Sequence, residues 1–209
     1  MLSQGQVGPI TSTADGVQVA LRTGKLGEQI VSELHGRYYE TCYRRALFAA
    51  ANQAATVTTV GLATTYTGLC LSNPLGSSIN ISILKAAAAF PVAPAAAIVV
   101  GLMVGYNAGT NVTHTTPSTT LRSNFVGVGA APVGLVDTAA TLPTAPTLQK
   151  VMGIVGTGAI TVYGGIPAIE EDFEGNIILP PGAYCAFYTS AASAASGFFG
   201  SFKWEEIPV

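Results

Sequence analysis

The alternation of apolar and polar residues predicts β-strands along most of this chain. In the segment Ser78–Phe90, isoleucines occupy positions 79, 81 and 83, and polar residues lie between them. A period of two places neighbouring side chains on opposite faces, so this segment is predicted to be a strand with one buried face. The last segment, GFFGSFKWEEIPV, is rich in aromatic residues, and Phe198, Phe202 and Trp204 are predicted to line the core face of a final strand.

Turn signals such as Asn73-Pro74-Leu75-Gly76 and Pro180-Pro181-Gly182 separate these runs. Residues 107–120 are predicted to form a long polar loop. Because amphipathic helices between the strands are lacking, roughly seven or eight short strands predict an all-β fold, a β-sandwich or jelly roll. The further strand candidates are Thr56–Ser72, Ala95–Tyr106, Leu121–Val128, Leu148–Ile154, Ala159–Tyr163 and Ala183–Ser190.

The first 45 residues differ from the rest, because glycines interrupt short extended runs at Val17–Leu21 and Gln29–Leu34. They are predicted to form an N-terminal arm. Tyr39–Ala55 is the best candidate for a helix of one or two turns, since it is rich in alanine and carries the i,i+4 pair Glu40 and Arg44. The predicted organisation is an arm with a short helix over residues 1–55 and a β-sandwich over residues 56–209.

One segment is long enough to cross a membrane. Ala86–Tyr106 contains 21 residues without a charge. However, Pro91 and Pro94 would break a helix in its first half, so two strands around a proline-bearing connection are predicted instead. The N-terminus also lacks the basic and apolar regions of a secretory signal, which favours synthesis in a cytoplasm and no contact with membrane.

The charge distribution changes the picture more than the apolar content does. Charged residues make up 10% of the chain, against about 25% in typical globular proteins. Between Ala46 and Ile169 only Lys85, Arg122, Asp137 and Lys150 are charged. A solitary domain normally keeps its surface dispersed with mixed charge, so this middle region is predicted to be covered by other subunits.

Composition also argues against nucleic acid and disulfide chemistry. The net charge is −2 with a pI of about 5.6, which gives no basic surface for a nucleic acid. Cys42, Cys70 and Cys185 are odd in number and widely spaced, and they form no C-x-x-C pair. Buried, reduced thiols are therefore expected.

Catalytic and cofactor motifs are weak throughout the chain. His35 and His114 are the two histidines, and Cys185, His114 and Asp137 together have the residue types of a nucleophilic triad without any local motif to support it. The glycine tracts 127–134 and 156–165 lack the Gly-Lys-Ser/Thr ending of a phosphate-binding loop. We therefore expect no catalytic residues, no cofactor and no enzymatic activity.

The acidic cluster Glu170–Glu174 is the one plausible ion site, because closely spaced carboxylates can bind Ca²⁺. It lacks the full pattern of a calcium-binding loop, so a solvated turn before a strand is favoured and no metal is expected. Aromatic and arginine side chains dominate interface hot spots. The residues predicted to lie in a protein interface are Arg37, Tyr38, Tyr39, Tyr43, Arg44 and Arg45.

Three segments, LRTGKLGEQIVSELHGRYYE, LATTYTGLCLSNPLGSSINISILK and GAYCAFYTSAASAASGFFGSFKWEEIPV, resemble a family of virion structural proteins of tailed bacteriophages. Within that class, a sandwich preceded by an arm is similar to capsid decoration, or cement, proteins. The resemblance implies a homo-oligomer, commonly a trimer, that contacts the major capsid protein or other virion proteins and braces the phage head. It implies a location in the virion. A head-fibre or tail component, or a carbohydrate-binding adhesion module, remains an alternative.

Overall fold

A computed structural model describes residues 36–118, 122–127, 131–157 and 168–209, most of them in β-strands. The chain begins in this part with one short helix and continues through eleven strands. The elements are α1 Tyr39–Tyr43, β1 Leu47–Ala51, β2 Thr65–Ser72, β3 Ile79–Ala89, β4 Ile98–Tyr106, β5 Thr113–Pro117, β6 Arg122–Ser123, β7 Leu135–Thr141, β8 Thr147–Val155, β9 Ile169–Leu179, β10 Ala183–Thr189 and β11 Phe199–Pro208.

The strands form two antiparallel sheets with the pairing of a jelly roll. One sheet has the order β6-β1-β11-β3-β9, and the other has the order β5-β7-β2-β10-β4-β8. Eight strands remain when β5, β6 and β7 are left out. Among them β1 pairs with β11, β2 with β10, β3 with β9 and β4 with β8. This nested pairing over two sheets defines the jelly roll. The predicted all-β sandwich is therefore confirmed.

The main core lies between the two sheets. Alternating residues of β3, led by Ile81 and Ile83, line this core together with the aromatic side chains of β10 and β11. Phe187 stacks on Phe202 with ring centroids 4.8 Å apart, and Phe198 packs edge-on against Phe187 at 5.4 Å. The period-two prediction for the isoleucines is confirmed, and so is the predicted core position of the aromatic residues of the last strand.

A second apolar cluster covers the outer face of the six-stranded sheet. Tyr66, Met103 and Tyr184 belong to it, and Val112 and Leu142 reach it from the segments that flank β5 and β7. The Tyr184 hydroxyl donates a hydrogen bond to the carbonyl of Thr144 at 2.6 Å, which fixes the segment between β7 and β8 over the sheet. The central strands β2, β4 and β10 are consequently buried on both faces.

The first strand of the sandwich begins earlier than the sequence indicates. The helix ends at Tyr43, one turn long as expected, and Arg45 adopts a left-handed conformation with φ of 62°. Residues 47–51 then pair with both β11 and β6. The predicted division at residue 55 differs from this arrangement, since β1 already belongs to a sheet. Among the described residues, those from Glu40 onward belong to one compact unit, and residues 36–39 belong to a separate one.

Two further local predictions were wrong. The polar tract 107–120 contains the strand β5, because Thr113–Pro117 pairs with β7. The acidic cluster lies within the strand β9 and does not form a turn before it. Ala86–Tyr106 does form two strands around a connection with Pro91 and Pro94, and no helix in the described ranges could cross a bilayer. The predicted strand Ala159–Tyr163 lies outside the described residues.

Candidate interaction surface

An exposed apolar stripe runs along β8, which is one of the two edge strands of the six-stranded sheet. Leu148, Val151 and Ile154 are 39%, 54% and 70% exposed. Leu148 lies opposite Met103 of β4, Val151 opposite Gly101 and Ile154 opposite Val99. Val99, Gly101 and Met103 are alternate residues of β4 and share one face of the sheet. Because Met103 belongs to the outer cluster, that face is the outer one, and all three stripe residues project from it.

Two β-bulges produce this arrangement. The pairing of β8 with β4 skips Gln149 between Leu148 and Lys150, and it skips Met152 between Val151 and Gly153. Each bulge places two successive residues of β8 opposite one residue of β4, which changes the period along β8 from two to three. The inward residues have partners of their own: Met152 packs on the main core, and Lys150 pairs with Glu171 of β9.

Glycine on the neighbouring strand brings the stripe close to the sheet. A side-chain carbon at Gly101 would meet the carbonyl oxygen of Lys150 at 2.5 Å and the Leu148 side chain at 2.8 Å. Leu148 therefore lies over the backbone of β4 at a position where any larger residue would push it away. The three stripe residues are all apolar and all exposed. An apolar surface of this kind suits contact with another protein.

The predicted Tyr/Arg cluster lies at the surface. Arg37 and Tyr39 are exposed, and the Arg37 guanidinium lies 5.5 Å from the centre of the Tyr38 ring. In the larger compact unit Tyr43, Arg44 and Arg45 are exposed as well. Tyr43 stacks on Phe125 with centroids 6.1 Å apart, and Arg44 pairs with Glu40 at 3.6 Å across one helical turn. The interface role of these residues stays a prediction.

The three residue types of a nucleophilic triad do not meet. His114 Nδ1 lies 2.6 Å from Asp137 Oδ2, so β5 and β7 bring the histidine and the acid together. Cys185 belongs to the core between the sheets, whereas its neighbour Ala186 faces the outer cluster beside Cys70. Asp137 lies opposite Cys70 and therefore faces the outer cluster. Cys185 is thus on the opposite side of the sheet from the pair of His114 and Asp137. Burial raises the pKa of its thiol far above the ordinary value, which keeps it protonated.

Lysines neutralise part of the acidic cluster. Lys85 Nζ lies 2.8 Å from Glu170 Oε1 and 3.7 Å from Asp172 Oδ2, and Lys150 reaches Glu171 at 3.0 Å. Glu174 has φ of 53° at a point where the pairing of β9 with β3 is irregular. No group of three or more potential metal ligands occurs within the described ranges.

The exposed stripe on β8 was not predicted from the sequence, although Leu148–Ile154 was predicted to be a strand. A signal is present in LQKVMGIV, where apolar residues recur every third position at 148, 151 and 154. That spacing does not match an alternating strand, and with Met152 and Val155 included the apolar positions 148, 151, 152 and 155 follow the i, i+3, i+4, i+7 spacing of a helix. The two bulges in the pairing of β8 with β4 explain the exposure of residues 148, 151 and 154. The positions of bulges could not be predicted from the sequence.

No protein-family model, curated protein or solved structure matches this chain.

Proposed function

We propose that this protein is a non-catalytic structural subunit of a virion, one that decorates a phage capsid and associates with copies of itself through the outer face of β8. The observation that carries the proposal is the stripe of Leu148, Val151 and Ile154. Jelly rolls are common in viral capsid domains, and the resemblance to virion proteins agrees with that use of the fold. Bracing a shell requires broad contact surfaces on a rigid domain, and a jelly roll provides both.

The low charge of the domain supports self-association. Of the four charged residues between Ala46 and Ile169, Asp137 is buried, and Lys85 and Lys150 are each paired with acids of β9. Little charge is therefore left in this region to keep two copies apart. Apolar residues that project from an edge strand add a favourable surface, because burying them removes apolar area from water.

A pair of substitutions in the stripe tests the proposal. We expect the wild-type protein to sediment as a homo-oligomer, a trimer by the resemblance, and V151D/I154D to shift it toward the monomer. Burying two carboxylates in the contact should weaken association by at least about tenfold, which corresponds to about 1.4 kcal/mol. Analytical ultracentrifugation over a range of concentrations measures the change. Val126→Asp is the matched control, since Val126 is 87% exposed and lies outside the stripe.

Binding to the particle is tested separately. Purified protein should bind capsids that lack it, and Y43A/R44A should weaken that binding without changing the oligomeric state, because the Tyr/Arg cluster is proposed to contact the capsid. A protein that stays monomeric at every concentration and does not bind such capsids contradicts the proposal. Binding to fibres or tails in place of capsids would support the alternative of a head-fibre or tail component.

A further inference from the structure

A cleft of about 440 Å³ opens on the side of the sandwich where the edge strands β8 and β9 lie next to each other. The end of β4 forms one wall with Tyr106, and the start of β8 adds Thr147 and Gln149. The end of β9 forms the opposite wall with Asn176 and Ile177. The volume lies within the range of about 300–1,000 Å³ that is typical of small-molecule sites.

The cleft contains two neutral side-chain amides, whereas the hydroxyl of its Thr147 already donates to the carbonyl of Val104 at 3.4 Å. Gln149 and Asn176 are both exposed, and within the described ranges no hydrogen bond engages either side-chain amide. Each amide offers two N–H donors and a carbonyl acceptor. None of the described residues that line the cleft carries a charge. The site therefore lacks the groups that an anionic or cationic ligand would require for pairing.

Tyr106 supplies an aromatic surface at the mouth of the cleft. It is 57% exposed at the end of β4, and no hydrogen bond engages its hydroxyl in the described part of the chain. Its neighbour Gly105 lies directly opposite Tyr184. On the outer face of the sheet, the Tyr184 ring fills the space that a side chain at position 105 would need. Because successive residues of a strand face opposite ways, Tyr106 is directed to the inner side, where the cleft opens.

We propose that this cleft binds a neutral saccharide of one or two pyranose rings. An aromatic face packs against the C–H groups of a pyranose, and the amides of Gln149 and Asn176 can hydrogen-bond its hydroxyls, which both donate and accept. A purely apolar ligand would leave these amides without partners. The inference does not depend on the proposed self-association, because the stripe residues of β8 lie on the opposite face from the cleft.

A titration followed by ¹H–¹⁵N correlation spectra tests the site. The probes are maltose, cellobiose, lactose and diacetylchitobiose at millimolar concentration, with a sulfated heparin disaccharide as the charged comparison. We expect at least one neutral sugar to shift the amide signals of Gly105, Gln149 and Asn176 in a saturable way, and the sulfated sugar to produce no such shift. If no neutral sugar shifts these signals, or if the sulfated sugar binds more tightly than all of them, the proposal is overturned.

Substitutions then assign the binding to the cleft. Tyr106→Ala should weaken binding of the best sugar by about tenfold or more, whereas Tyr106→Phe should retain most of it because the ring remains. Asn176→Ala should also weaken it. Tyr43→Ala is the matched control, since it removes an equally exposed tyrosine elsewhere and should leave the affinity unchanged. Unchanged affinity in both Tyr106→Ala and Asn176→Ala would overturn the proposal.

Discussion

His114 Nδ1 lies 2.6 Å from Oδ2 of Asp137, a carboxylate without solvent exposure. The two residues come from β5 and β7, and Asp137 lies opposite Cys70 of β2 in the pairing of the sheet. The other oxygen, Oδ1, has no hydrogen-bond partner within the described residues. Desolvation raises the pKa of Asp137, and the hydrogen bond and the charge of His114 oppose that rise without cancelling it.

The raised pKa of Asp137 predicts how stability depends on pH. A carboxyl group with a pKa above its unfolded value stabilises the fold fully below that value, and this contribution is lost as the pH rises through the folded pKa. Asp137→Asn lacks this dependence but retains a carbonyl that can accept from His114. We expect the free energy of unfolding of the wild type to fall relative to Asp137→Asn as the pH increases above 3.8, the ordinary value. Urea denaturation at a series of pH values measures both profiles, and parallel profiles would contradict the expectation.

Tyr66 is expected to contribute to stability through its hydroxyl. The hydroxyl accepts a hydrogen bond from the Leu69 N–H at 3.1 Å and lies 3.0 Å from the carbonyl of Phe187, where it can donate. Tyr66→Phe leaves the buried N–H of Leu69 unpaired, which should cost about 1–3 kcal/mol in urea denaturation. Tyr188→Phe is the control, because this half-buried tyrosine makes no side-chain hydrogen bond within the described ranges, and it should cost less than about 0.5 kcal/mol. Equal losses would refute the role assigned to the Tyr66 hydroxyl.

The three cysteines should differ sharply in reactivity. Cys70 and Cys185 are fully buried, and burial raises the pKa of both thiols well above the ordinary value. Cys42 is only partly buried on α1. Iodoacetamide should therefore modify Cys42 in the native protein and all three cysteines in denaturant, as peptide mass spectrometry can show. Cys42→Ser should abolish the native reaction. Modification of Cys185 at the rate of Cys42 would show that the sheets open readily.

Glu206 should stabilise the connection before β7. This buried carboxylate of β11 accepts hydrogen bonds from the backbone N–H groups of Val133 at 3.0 Å and Gly134 at 2.8 Å. It also accepts from the indole of Trp204 at 3.2 Å. Glu206→Ala should cost about 2 kcal/mol and alter the tryptophan emission, because three donors lose their acceptor. The neighbouring Glu205→Ala should change neither quantity, and a matching loss there would indicate a general effect of charge removal.

The sequence was sufficient to predict the architecture because its signals were local. Alternating isoleucines at 79, 81 and 83 and the aromatic spacing of the last strand predicted buried faces that the structure confirms. Pro91 and Pro94 correctly separated two strands in the long apolar segment. Such patterns depend only on the period of a strand and on the chemistry of turns.

The candidate sites could not be predicted in the same way, because they depend on register. The contact between His114 and Asp137 requires β5 to pair with β7, and the polar sequence around His114 suggested a loop. Likewise, the exposure of Val151 depends on two bulges, and the strand Leu47–Ala51 lies in an alanine-rich run that favours a helix by propensity. Pairing with β11 and β6 outweighs that local preference.

The pairing of β1 with β11 has a consequence for the order of events during synthesis. Leu47 lies opposite Glu205. In the described part of the chain β1 is synthesised first and β11 last, so β1 cannot form this pairing until β11 has been made. At about 5–20 residues per second, β1 spends many seconds without its partner on either side, since β6 is also made later. Folding that closes such distant pairs is slow. Closure of the five-stranded sheet must therefore be a late event, and the unpaired edge of β1 is the point at which a chaperone or a neighbouring nascent chain could first intervene.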